Sequence, residues 1–204
     1  MTEPGTSGFP PPPPPETPSA PVATPPRSPR ISPATLAIVV IGVLAAVGAY
    51  VAVTKATDKV APSADEVSSA FVPVSGYEYS EMPAAALEPL RAAFASQAGE
   101  EAVAHFDARE LTQDGTTAAV VFILSVDPDS MTGGFEASYV TGFTATSQAQ
   151  VEDTQFGQTA GHIAETPMGT IAFFFDEDGF AFNVVGRDKP TVESIARSLE
   201  SGNS

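Results

Sequence analysis

Hydrophobic and polar positions divide the chain into unequal stretches. From Leu36 to Val53, eighteen residues pass without a charge, and ten of them are Leu, Ile or Val. At ~1.5 Å rise per residue the run reaches roughly 27 Å, and Ala34, Thr35 and Thr54 bring it close to the ~30 Å hydrocarbon core of a bilayer. The pattern predicts one transmembrane helix over residues 34–54, with Tyr50 near an interface. No polar face breaks the run, which argues against a buried core helix. A cleaved signal is the competing reading. Signal cores are usually about 7–15 residues long and follow a short basic segment; this run is longer and follows 33 residues, although Ala49 and Ala52 satisfy the small-residue pattern of a cleavage site.

Residues 55–75 read as a juxtamembrane linker, and residues 76–201 as a folded domain with mixed periodicities. Leu87, Leu90 and Phe94 recur at helical spacing between Pro83 and Ala98, with Gly99 as C-cap and Pro89 interrupting the first turn. Ala102–Leu111 and Thr117–Val126 read as strands joined by an Asp114-Gly115 hairpin turn. The second is apolar on both faces, as in a central strand. Phe135, Tyr139 and Phe143 mark a helix despite Gly133, Gly134 and Gly142. The stretch from Ala160 to Gly186 reads as a meander of three strands. A four-residue loop Asp176–Gly179 in its last hairpin would set Phe175 opposite Phe180, Phe173 opposite Phe182 and Ile171 opposite Val184, all on one core-facing side. Asp188 and Pro190 open a last helix with Val192, Ile195, Ala196 and Leu199 on one stripe. The expected fold is α+β, with an antiparallel sheet of about five to six strands packed against two to three helices, preceded by one transmembrane helix and a disordered Pro-rich tail. A sequence of Asp-Gly turn, strand, aspartate and helix occurs from Asp114 and again from Asp178, a faint internal echo.

Composition sharpens this division. Thirteen of 20 prolines precede Ala34, and twelve of 13 phenylalanines follow Ala70. Residues 1–33 cannot fold by burial. Pro10–Pro15 should form polyproline II and the rest should be disordered. Pro26-x-x-Pro29 beside Arg27 and Arg30 suits an aromatic docking groove, and Thr17, Thr24, Ser28 and Ser32 each precede proline; a solvated spacer is the plainer account. Gly42/Ala46 and Ala45/Ala49 have the small-xxx-small spacing of close helix pairs, so a homodimer stays open without further support.

Charge is as lopsided as proline. Residues 1–59 carry a net +1, whereas residues 60–204 carry five basic against 22 acidic residues, a net −17. Such a domain repels phosphate backbones and anionic headgroups, which excludes nucleic acid as a partner. It is either a solubilising surface or a face for a cationic protein partner. Arg27 and Arg30 on one side of the span balance Lys55 and Lys59 on the other, so the positive-inside count is a tie. The expectation is a cell-membrane protein with a cytoplasmic N-terminus and an extracytoplasmic C-terminal domain, because a downstream domain can be translocated behind an uncleaved anchor.

Candidate chemistry is thin. The absence of cysteine excludes disulfides and thiolate chemistry. His105 and His162, the only histidines, fall within strands away from any Gly-x-Ser-x-Gly turn, so a hydrolytic triad is not expected. Asp127 with Asp129, and Asp176 with Glu177 and Asp178, group carboxylates without EF-hand spacing, and turns explain both runs. No glycine-rich phosphate loop follows a strand. The reading therefore assigns no catalytic residue, no cofactor-binding residue and no metal ligand, and expects no cofactor.

The layout resembles single-pass, proline-tailed proteins of high-GC Gram-positive bacteria that carry a small extracytoplasmic domain of unknown function. The ending "GTIAFFFDEDGFAFNVVGRDKPTVESIARSL" looks like the last hairpin and helix of exported α+β modules, including PsbP-like lipoprotein domains. The similarity covers about residues 77–200 and rests on hydrophobic pattern. No lipobox cysteine is present, so the helix replaces a lipid anchor, and the resemblance implies no catalytic residues. The expected function is a non-enzymatic membrane protein presenting an acidic binding or interaction domain. The alternative is a transmembrane regulator coupling the outer domain to the Pro-rich docking tail, with an anchored hydrolase a third reading.

Overall fold

The computed structural model describes residues 60–83, 85–87, 103–127, 134–147, 149–167 and 169–204. Residues 1–33, the span 34–54 and most of the predicted helix 83–98 lie outside the described residues. Among the described residues, no helix is long and apolar enough to cross a membrane.

Among the described residues, three helices and a helical turn at residues 85–87 surround one antiparallel sheet. In chain order they are α1 (Ala64–Ser69), β1 (Glu78–Glu81), β2 (Val103–Gln113), β3 (Thr116–Val126), α2 (Glu136–Ser147), β4 (Gln150–Phe156), β5 (Thr159–Thr166), β6 (Gly169–Phe175), β7 (Phe180–Gly186) and α3 (Lys189–Asn203). The sheet runs β1-β2-β3-β7-β6-β5-β4. After β3 the chain passes through α2 to the far edge, and the β4–β7 meander then returns to pair with β3.

The α+β class and the antiparallel sheet agree with the sequence pattern, but there are seven strands rather than five or six. The two unexpected ones are the edges. β1 is Glu-Tyr-Ser-Glu and β4 carries Glu152 and Asp153. Edge strands have one unpaired side and blunt it with charge, so they carry no run of apolar alternation to read.

Both faces of the sheet are buried. One face packs Phe122, Leu124, Ile171, Phe173 and Val185 against Phe135, Tyr139 and Phe143 of the α2 region. The other packs Val121, Ile123, Phe174, Phe182 and Val184 against Val67 of α1 and Val192, Ile195 and Leu199 of α3. This double burial explains the unbroken apolar runs of β3, β6 and β7. It also corrects the predicted last hairpin. Phe174 pairs with Phe182, Phe173 with Asn183 and Phe175 with Ala181, one residue off the expected register. The Asp176 N–H donates to Phe180 O and the Gly179 N–H to Asp176 O, with Gly179 at φ 99°. That is a three-residue loop with glycine in the left-handed position. One residue fewer in the loop sends alternate phenylalanines to opposite faces. The turn echo does not extend to packing either, because α2 and α3 cover opposite faces.

Other expectations hold. Asp114 (φ 50°) and Gly115 (φ 71°) form the two-residue β2–β3 turn. Phe135, Tyr139 and Phe143 are all buried. Asp188 caps α3 by accepting from Thr191 N–H at 3.0 Å, with Pro190 in the first turn.

The predicted linker 55–75 is corrected from Ser63 onward. Ser63 and Glu66 form a reciprocal capping box at the start of α1. Val67, Ala70, Phe71 and Val74 then bury on the sheet. Arg109 of β2 holds the segment. Its guanidinium lies 4.1 Å from the centre of the Phe71 ring, donates to Ser68 Oγ at 2.6 Å and pairs with Asp107. Short, acidic and serine-rich, "SADEVSSA" reads as a spacer; only the apolar positions that follow it betray the packing.

Candidate functional site

A cleft of about 490 Å³ opens at the end of the sheet where the β6–β7 turn overhangs the β4–β5 turn and the last turn of α3. Its floor is apolar, made by Ala160, Phe174, Phe175 and Phe182. Its walls carry Glu136 from the first turn of α2, Asp176, Glu177 and Asp178 from the hairpin turn, and Glu200 from α3. No lysine, arginine or histidine is among its lining residues.

Asp176 and Glu200 are positioned by local structure. Asp176 accepts from the backbone N–H of Asp178, and this side-chain turn fixes its carboxyl beside the loop. Burial pushes the Asp176 carboxyl above its ordinary range, and the charges of Asp178 and Glu177 push the same way against the stabilising backbone N–H. Glu200 is 5% exposed. Its Oε1 accepts from Gln158 N–H at 3.0 Å and Thr159 Oγ1 at 3.1 Å, which ties α3 to the β4–β5 turn. Gly157 (φ 63°) permits that approach, since any Cβ there would overlap the Glu200 carboxylate.

Glu136 also faces the His162 ring on β5. His162 Nε2 lies 2.8 Å from Glu136 Oε1, and Nδ1 lies 3.0 Å from Asp153 Oδ1 on β4. The ring rests against Phe173, centroid to centroid 5.1 Å. His105 is exposed on β2, opposite Ser125. Three strands separate it from His162, and the register sets the two rings on opposite faces. They cannot share a site. Asp127 follows the end of β3, while Asp129 lies outside the described residues. Among the described residues no group of three or more His, Asp or Glu is arranged to hold a metal ion.

No protein-family model, curated protein or solved structure matches this chain. Of the cleft carboxylates, only Asp176, Glu177 and Asp178 were conspicuous in sequence, as a turn. Glu200 had a readable signal: it lies four residues past Ala196 and beside Leu199, on the edge of the buried stripe of α3. Glu136 and Asp153 had none, because their meeting at His162 depends on how α2 lies over the β4–β5 edge.

Proposed function

We propose that this chain is a non-enzymatic binding protein of the cell envelope. Residues 34–54 cross the bilayer once, residues 1–33 lie on the cytoplasmic side, and the acidic domain faces outward. The domain uses its end cleft to hold a cationic ligand with an apolar stem. The observation that carries this reading is the lining: an aromatic floor, five carboxylates and no basic side chain among the lining residues. Apolar stems rest on such a floor while their charged heads meet carboxylates. A net charge of −17 over residues 60–204 adds long-range attraction for a cation and repulsion from anionic lipid. The packing of Ser63 and the residues after it leaves residues 55–61 as spacer. At about 3.3–3.6 Å per residue they span at most ~25 Å, so the domain stays close to the membrane surface.

The test uses the full chain in its native membrane. Carbonate washing should leave it in the membrane fraction. A photoreactive residue at Gln158, on the cleft rim, should yield an adduct that a residue at Glu193, on α3 away from the cleft, does not. Release by the wash would sink the anchor, and equal labelling from both positions would sink the cleft.

A further inference from the structure

The two ring nitrogens of His162 both meet carboxylate oxygens, Asp153 Oδ1 at 3.0 Å and Glu136 Oε1 at 2.8 Å. A neutral imidazole offers one N–H and one lone pair. It can donate to one of these carboxylates, and it then turns a lone pair toward the other. Only the imidazolium donates to both. Among the described residues, the groups facing the ring are Glu136 from α2, Asp153 from β4 and, from β6, the uncharged Phe173. The ring is 12% exposed, while the side chains of Glu136 and Asp153 are 46% and 93% exposed. Glu136 is at the same time a wall of the cleft.

We propose that His162 is a proton-operated regulator of the cleft: as imidazolium it holds and neutralises Glu136, and on losing a proton it leaves that negative charge to the cleft. The inference rests on the reading that the cleft binds cations. The sign follows from electrostatics. With the imidazolium present, a cation in the cleft meets a weaker negative potential. As pH rises and the imidazolium is lost, cation affinity rises. Linkage makes the effect reciprocal, so a bound cation favours loss of the proton from His162.

Spermidine is a suitable probe, being a chain of methylenes between ammonium groups. The full-length protein in nanodiscs of zwitterionic lipid would be titrated calorimetrically at pH 5.5 and pH 7.5. The expected result is about 5-fold tighter binding at the higher pH, the lower end of ordinary coupling between sites, with proton release seen as a heat that depends on the buffer. His162→Gln should flatten the profile at the tight end, and Glu136→Gln should flatten it at the weak end. The ring nitrogen shifts of His162 should respond to spermidine. Affinity that does not change with pH in the unmodified protein overturns the regulation and leaves the cleft reading standing. Failure of spermidine to bind at either pH overturns the cation reading and the regulation with it. A pH profile that persists in His162→Gln assigns the effect to another group, such as Asp176, and overturns the role of His162.

Discussion

The most telling single residues are polar groups placed inside apolar surroundings. Asn183 is fully buried on β7, and its Oδ1 accepts from the Tyr139 hydroxyl at 2.6 Å, while its Nδ2 has no partner among the described residues. Burial drives the Tyr139 hydroxyl far above its ordinary pKa, so it stays a donor throughout the usual pH range. This bond joins α2 to the middle of the sheet. Tyr139→Phe would leave Asn183 with no partner on either atom, and a buried orphan costs about 1–3 kcal/mol. Tyr139→Phe combined with Asn183→Leu removes both groups and should recover most of that loss. Urea unfolding of the four proteins in the cycle measures this. A double variant as unstable as the sum of the singles would show that the bond is not the source. Tyr139 was readable as a core position from its spacing with Phe135 and Phe143. Its partner was not, because Asn183 sits in "FNVVG", where period-2 alternation in a sheet buried on both faces gives no separate signal for a polar core residue.

At the scale of elements, turn chemistry decides what hydrophobic pattern leaves undecided. Asp114-Gly115 was legible because that dipeptide fits a two-residue hairpin turn. "DEDG" was legible as a turn, but its length was not. Five apolar residues in a row, Ile171 to Phe175, satisfy either parity when both faces are covered, so the loop alone sets the register. Gly179 at φ 99° is what permits the three-residue loop. Gly179→Ala places a side chain in the left-handed region, which costs about 1–2 kcal/mol. It also favours the longer loop, whose register would move Phe174 and Phe182 out of their stack, now at 4.7 Å and 10°. The expected outcome is a lower urea midpoint and loss of the nuclear Overhauser contacts between these two rings. An unchanged midpoint with the contacts intact would mean that the β3–β7 ladder, not the loop, holds the register.

At the scale of the molecule, the class of fold was legible from the alternation of helical and strand periods, and the layers were not. The second layer comes from α1 and α3, and α1 lies in a stretch whose composition resembles a linker. Its role is nevertheless structural. Besides burying Val67, Ala70, Phe71 and Val74, the segment accepts the Ser125 hydroxyl at Pro62 O (2.6 Å), the Tyr79 hydroxyl at Val72 O (3.0 Å) and the Asn203 amide at Ala70 O (3.1 Å). Removing residues 60–75 would uncover Leu111, Val121 and Ile123 and leave the buried Ser125 hydroxyl without its acceptor. At about 1.5–3 kcal/mol for each of Val67, Phe71 and Val74, lost burial alone comes to roughly 5–9 kcal/mol. That is comparable with the whole stability of an ordinary domain, about 5–15 kcal/mol. A fragment beginning at residue 60 should therefore unfold in one cooperative transition, whereas a fragment beginning at residue 76 should aggregate or show collapsed amide dispersion. Equal midpoints and superimposable amide spectra for the two fragments would return residues 60–75 to the status of a tether.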